Sequence, residues 1–172
     1  MAVSDLIDPA EGVRRVREHV AAGRAETVPL REALHRTLAE AIRCDVDYPP
    51  FDRALMDGFA VRAADVSGAP LSLRIAGQIA AGQEAPRELR AGEAMQINTG
   101  APIPRGADAV VRVEDTEAFR DSPVVRILKP VPKGHFVTPK GSYVRDGTEA
   151  LRAGTLLGPL ETAVTATCGA AS

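Results

Sequence analysis

The spacing of apolar and polar positions changes twice along this chain. Near the start, Val13, Val16 and Val20 fall three and four residues apart, with Arg14, Arg15, Arg17 and Glu18 on the other face. That spacing predicts an amphipathic helix. Asp8-Pro9-Ala10-Glu11 marks its beginning, with Asp8 as N-cap, Pro9 at the first helical position and Glu11 closing a capping box. Gly23 is the expected stop. Glu26–Leu30 then suits a short strand, Arg31–Arg36 a brief helix, and Ala39–Cys44 a further strand.

Beyond Pro49 the helical period disappears. Leu71-Ser-Leu-Arg-Ile-Ala76 alternates as a half-buried strand does, followed by small residues at Gly77–Gly82 and a charged, turn-rich stretch at Arg87–Glu93. Met95-Gln-Ile-Asn98, the β-branched run at Ala109–Val111 and Val124–Leu128 are further strand candidates. No helix-length pattern occurs between Pro49 and Lys133, so this section is predicted to be all β. After it come turn signals at Gly141, Asp146-Gly147, Gly154 and Gly158-Pro159, then an apolar stretch at Leu160–Ala166 able to begin a helix. The ending, Cys168-Gly-Ala-Ala-Ser172, carries no charge cluster or stop signal and reads as a cut at a domain boundary.

Between the helical and β sections lies Asp45–Arg62, with aspartates at 45, 47, 52 and 57, a Pro49-Pro50 pair and a Met56-Asp-Gly58 turn. The prolines hold the backbone extended, and Gly58 accepts turn geometry without steric cost. A stiff acidic loop fixed between ordered elements is a place where function tends to sit. A solvated turn whose carboxylates only cap backbone amides is the plainer alternative.

Composition narrows the classes. At 172 residues the chain is long enough for one domain or two small ones. Aromatic residues are 3% with no Trp, which argues against an aromatic platform for single strands. The net charge of −2, with both signs interspersed, shows no footprint for a phosphate backbone, so nucleic acid is not an expected partner. No apolar run approaches a membrane span, and the N-terminal residues lack a signal peptide's basic and apolar regions. A cytoplasmic location is expected. Cys44 and Cys168 match no metal spacing; a lone disulfide is open to them, but two free thiols in a reducing compartment are the expectation.

Most catalytic signatures are missing. There is no nucleophile elbow, Walker A loop, dinucleotide fingerprint or zinc spacing, and His19, His35 and His135 are scattered. Two features remain. Asp45, Asp47, Asp52 and Asp57 can orient a hydroxyl or a hard cation through oxygen ligands. Thr99-Gly-Ala-Pro102 offers a hydroxyl, a permissive glycine and amides that can receive an anion, unless it is simple strand punctuation. Glu114-Asp115 can face the same cleft.

Taken together, these stretches resemble the N-terminal region of the MoeA family, the molybdopterin molybdenumtransferases, to which the C-terminal part of gephyrin also belongs. The resemblance rests on Pro49-Pro-Phe-Asp52, Met56-Asp-Gly-Phe-Ala-Val61, Asn98-Thr-Gly-Ala-Pro-Ile-Pro104, Gly106-Ala-Asp-Ala-Val-Val111 with Glu114-Asp115, and the tail from Gly154-x-x-Leu157-x-Pro159 to Gly169. Each motif is weak alone; the ordered set covers almost the whole chain.

The resemblance implies an α+β fold. A mixed outer subdomain would be built from both chain ends, residues 1–46 and 140–172, around an inserted β-rich subdomain at 47–139. It implies molybdenum cofactor biosynthesis: insertion of molybdate into adenylylated molybdopterin with Mg²⁺, in a homodimer whose cleft joins this region to a cofactor-binding domain of the other subunit. By position, Asp57 would be the catalytic carboxylate, Thr99 and Gly100 would contact substrate, and Asp52 would support the loop at the substrate site; no metal ligand is assigned. Three departures stand out. Ala54-Leu55 replace the Ser-Ala common before Met-Asp-Gly, Gly141-Ser-Tyr143 replaces a Gly-Glu-Asp motif, and the family's later domains do not appear in these 172 residues. The alternative is a divergent, non-catalytic binding or scaffold module with the same fold.

Overall fold

A computed structural model describes residues 7–21, 23–117 and 122–170. Most of the N-terminal stretch read for a signal, and the final Ala171-Ser172, lie outside the described residues.

Helix α1 (Pro9–His19) starts where the sequence predicts, with the Asp8 carboxylate accepting from the Ala10 N–H at 2.8 Å. It ends four residues before Gly23. Glu11 forms no capping box; its carboxylate instead takes Arg14 and Arg15, both at 2.7 Å. Among the described residues nothing covers the apolar stripe. Val13, Val16 and Val20 are 53%, 62% and 69% exposed, so cap and side-chain pairs, rather than burial, hold this helix.

The strand expected at Glu26–Leu30 does not form. Pro29 instead leads into a 3-10 turn at Leu30–Glu32, and His35 adopts a left-handed φ of 65°. From there the chain pairs with its own far end. His35 N–H donates to Leu157 C=O and Leu157 N–H to Arg36 C=O, each at 2.8 Å. Strand β1 (Ile42–Arg43) then pairs antiparallel with β10 (Glu149–Leu151), and Tyr48 bridges Val144. Residues 35–48 thus run against 144–157 as one irregular ladder. Helix α2 (Pro159–Thr167) follows that ladder, its Glu161 side chain accepting from Gly158 N–H at 3.0 Å.

The section predicted as all β contains no α-helix among its described residues. Strands β3 (Gly58–Val61), β4 (Leu71–Ile79), β5 (Glu93–Ile97), β6 (Ala109–Arg112), β7 (Thr116–Glu117) and β8 (Val124–Ile127) form one sheet in the order β6-β3-β5-β4-β8-β7. All pairings are antiparallel except β4 with β5. A short pair, β2 (Arg53–Ala54) with β9 (Val137–Thr138), lies beside it.

Both faces of the central strands are buried, which explains why Ala109-Val-Val111 reads as a continuous apolar run rather than an alternation. Phe59, Val61, Leu73, Ala94, Val111, Val125 and Ile127 fill one core. Ala60, Ile79, Met95, Ile97 and Val110 fill the other, together with Ala54 and Ala101. Gly58 is fixed by contact: a Cβ there would lie 2.0 Å from the Val111 carbonyl oxygen. No larger residue fits between β3 and β6 at this point.

Candidate functional site

The second core carries the site. Ile97 and Ala101, 1% and 0% exposed, anchor the two ends of the Asn98–Gly100 turn. Ala101 N–H closes it onto Asn98 C=O at 3.0 Å, and Gly100 takes a φ of 84°, the left-handed geometry such a turn requires of its third residue. Across from it, Ala54 and Gly58 are buried, while Leu55 and Asp57 between them face outward. The β3–β5 register sets Gly58 opposite Ile97, so the residue before one meets the turn after the other.

The Asp57 Oδ1 consequently accepts two bonds from Thr99, the N–H at 2.6 Å and the hydroxyl at 2.8 Å. These bonds, the amide first, hold the Asp57 carboxyl below the usual aspartate range, with a smaller pull from the Asn98 side chain. Asp57 is therefore an anion at neutral pH. The Thr99 hydroxyl, donating to Asp57, keeps lone pairs to accept from a ligand N–H or O–H.

The turn amides are not available to an anion. Thr99 N–H goes to Asp57, Gly100 N–H to Ala54 C=O at 2.9 Å, and Ala101 N–H to Asn98 C=O. The expectation that they receive an anion is corrected: they close the fold. What the turn presents is the Thr99 hydroxyl and the open side of Gly100, where a Cβ would meet nothing within 4 Å.

The four aspartates also separate in space. Asp45 packs against Gly169 at the end of α2, where its Oδ2 lies 1.9 Å from the place of a Cβ. Asp47 accepts from Asp146 N–H at 3.0 Å and pairs with Lys140 Nζ at 3.4 Å, which lowers its pKa. Asp52 accepts from Lys140 N–H at 2.7 Å and so secures the turn after β9. Among the described residues no group of three or more His, Cys, Asp or Glu is placed to hold a metal ion. The four carboxylates thus do not converge on one point, and Asp47, Asp52 and Asp57 are each engaged locally. Asp115 is likewise engaged, by Arg112 at 2.5 Å and Lys129 at 2.6 Å, which bring its carboxyl to about 2.

One feature escaped the sequence reading. The Arg53 guanidinium lies 5.8 Å from the Tyr48 ring centroid and 5.5 Å from that of Tyr143. It has no carboxylate partner among the described residues. The Arg53 backbone bridges Pro102, three residues beyond Thr99. The only signal in the sequence was Tyr143 itself, standing where the family resemblance leads one to expect an acidic residue.

Comparison with known proteins gives this geometry a family. The family model described as "MoeA N-terminal region (domain I and II)" matches residues 7–169. A molybdopterin molybdenumtransferase of Bacillus subtilis is 40% identical over 168 residues, covering 94% of this chain and 39% of that protein. One from Synechococcus elongatus is 36% identical over 149 residues, covering 84% and 36%. A crystal structure of a molybdopterin biosynthesis MoeA protein from a Pyrococcus superposes with a TM-score of 0.82 at 36% identity, covering 96% of this chain and 43% of that one. The chain belongs to the MoeA family, matching its N-terminal region. It spans about two fifths of the length of these relatives.

Proposed function

We propose that this chain provides one wall of the cleft in which molybdate is inserted into adenylylated molybdopterin, with Asp57 as the catalytic carboxylate. The supporting observation is the doubly bonded Asp57–Thr99 pair on a rigid, core-anchored turn. A carboxylate with a lowered pKa is a weak base, so Asp57 orients and charges the site rather than abstracting a proton. Thr99 accepts from a donor on the substrate, and the open side of Gly100 admits the ligand close to the backbone. Asp52 supports this arrangement through the Lys140 turn.

Molybdate and a phosphoanhydride are both anionic, and Asp57 repels them. Compensating positive charge is therefore needed, and Arg53, whose guanidinium lies against Tyr48 and Tyr143 and whose backbone bridges Pro102, is the candidate to contribute it. Mg²⁺ is the divalent cation expected for the reaction. The described residues fit it poorly, since no group of three or more His, Cys, Asp or Glu among them is placed to hold a metal ion. In the homodimer reading, further ligands and the opposite wall come from the other subunit, with residues 1–46 and 140–172 forming the outer part and 47–139 the inserted part. The proposed setting is the cytoplasm; among the described residues no helix is long and apolar enough to cross a membrane.

The test is Asp57→Ala in the protein as the cell makes it, assayed for molybdenum insertion. A folded variant without insertion supports the reading, and a folded variant with full activity overturns it. Tyr143 favours a second reading, a binding or scaffold module, because it places a ring rather than a carboxylate against Arg53. Adenylate cleavage by the wild-type protein counts against that second reading.

A further inference from the structure

We propose that Cys44 and Cys168 are a peroxide-reactive thiol pair that closes into an intramolecular disulfide, joining the strand side of the outer ladder to the end of α2. The two residues are 124 positions apart, yet both are buried and their sulfurs lie 2.8 Å from each other. A disulfide bond is about 2.05 Å long, so closure requires the sulfurs to approach by roughly 0.8 Å, within reach of small side-chain rotations.

The backbones hold the sulfurs in this position. Cys44 N–H donates to Thr148 C=O at 3.0 Å, and Cys44 C=O accepts from Gly147 N–H at 2.8 Å. Cys168 N–H donates to Val164 C=O at 3.0 Å in the last turn of α2. The adjoining residues are packed just as closely. Gly169 takes a φ of 78°, and the Asp45 carboxylate occupies the space a side chain there would need. Cys44-Asp45 and Cys168-Gly169 thus meet as a fitted pair, and among the described residues no group of three or more His, Cys, Asp or Glu is placed to hold a metal ion.

The pair divides the chemistry. Burial, then the hydrogen bond with Cys44 and the Asp45 charge, push the Cys168 thiol up to about 11, so it keeps its proton. Cys44, 8% exposed against 4% for Cys168, is the more accessible sulfur and attacks first. Its sulfur takes one peroxide oxygen, the O–O bond breaks, and the second oxygen leaves with the Cys44 proton as water, forming a sulfenic acid. The Cys168 sulfur attacks that sulfenic sulfur, and the hydroxyl leaves with the Cys168 proton as water. Two thiols and one peroxide become one disulfide and two waters.

The experiment uses the 172-residue protein and hydrogen peroxide. The expected result is an intact-mass loss of about 2 Da, no titratable thiol in denaturant, and a Cys44–Cys168 link on peptide mapping. Closing so long a loop raises the thermal midpoint by up to roughly 10 °C, reversed by a dithiol reductant. In Cys168→Ser, reaction stops at a sulfenic acid on Cys44, trapped with a dimedone-type reagent. Oxygen addition without a link in the wild type, links between molecules, or two persisting thiols would each overturn the proposal, and these readings do not depend on the variant folding.

Discussion

Asp57 and Thr99 are 42 residues apart in sequence, yet one carboxylate oxygen takes both the amide and the hydroxyl of the threonine. The two bonds separate experimentally, because Thr99→Val removes the hydroxyl and keeps the amide. The Asp57 carboxyl should then titrate higher than in the wild type while remaining below the usual aspartate range, since the amide is the larger influence. Carboxylate NMR titration measures this; an unchanged Asp57 would show that the hydroxyl bond is not made in solution. On the proposed function, molybdenum insertion by the protein as the cell makes it should fall roughly tenfold in this variant, on the scale of one lost hydrogen bond.

The pairing also marks the limit of sequence reading. Met56-Asp-Gly58 and Thr99-Gly100 were both legible, because turn chemistry is local and left-handed positions favour glycine. Their meeting was not, since it depends on the Gly58–Ile97 register between strands far apart in the chain. The aspartates show the converse error. Four acids within thirteen residues look like one site, but Asp47, Asp52 and Asp57 each find their own backbone partner, and Asp45 packs against Gly169 instead. Strands β9 and β10 went unread because two or three residues carry no periodicity. The α1 stripe was read correctly as a pattern, yet a pattern cannot say whether anything covers it.

Acid should destabilise the fold through Glu93. This residue is 3% exposed and accepts from Arg87 at 2.7 Å and from the Arg90 N–H at 3.1 Å, with Arg74 also bonded. Arg87 chiefly brings its carboxyl from an ordinary 4.5 to about 2. Because the folded value is depressed, the stabilisation is fully present above about pH 4.5 and is lost as pH falls through about 2. Urea midpoints should decline over that window, and Glu93→Gln should flatten the decline. Asp115, also near 2, contributes in the same direction, so adding Asp115→Asn should flatten the decline further, with Asp47 and Asp57 leaving a residual slope.

Gly58 tests the sheet. Its missing side chain lets β3 and β6 approach until the Val111 carbonyl occupies the Cβ position. Gly58→Ala must push these two central strands apart, at a cost on the order of 3 kcal/mol. Chemical denaturation checks this, with Gly134→Ala as the comparison, since nothing lies within 4 Å of a Cβ there and only its φ of 80° opposes the change. Gly58 is not among the left-handed glycines, so a loss no larger than at Gly134 would mean that β3 and β6 part without cost.

Arg53 separates the structural use of a cation from its use on substrate. The two tyrosine rings hold the guanidinium from opposite sides of the chain crossing, Tyr48 entering the β-rich section and Tyr143 leaving it. If the arginine only pins that crossing, Arg53→Gln should lower the thermal midpoint and leave KM for the anionic substrate alone. If it also meets the anion, KM should rise roughly ten- to a hundredfold, the scale of a lost charge-assisted hydrogen bond. The wild-type KM should then rise with added salt, and the variant should lose most of that dependence. Arg53→Lys keeps the charge but not the planar stack, so it should restore salt sensitivity without restoring the midpoint. The expected outcome is the combined effect, because one guanidinium nitrogen reaches the Tyr143 hydroxyl at 3.5 Å and the other N–H groups are left to donate.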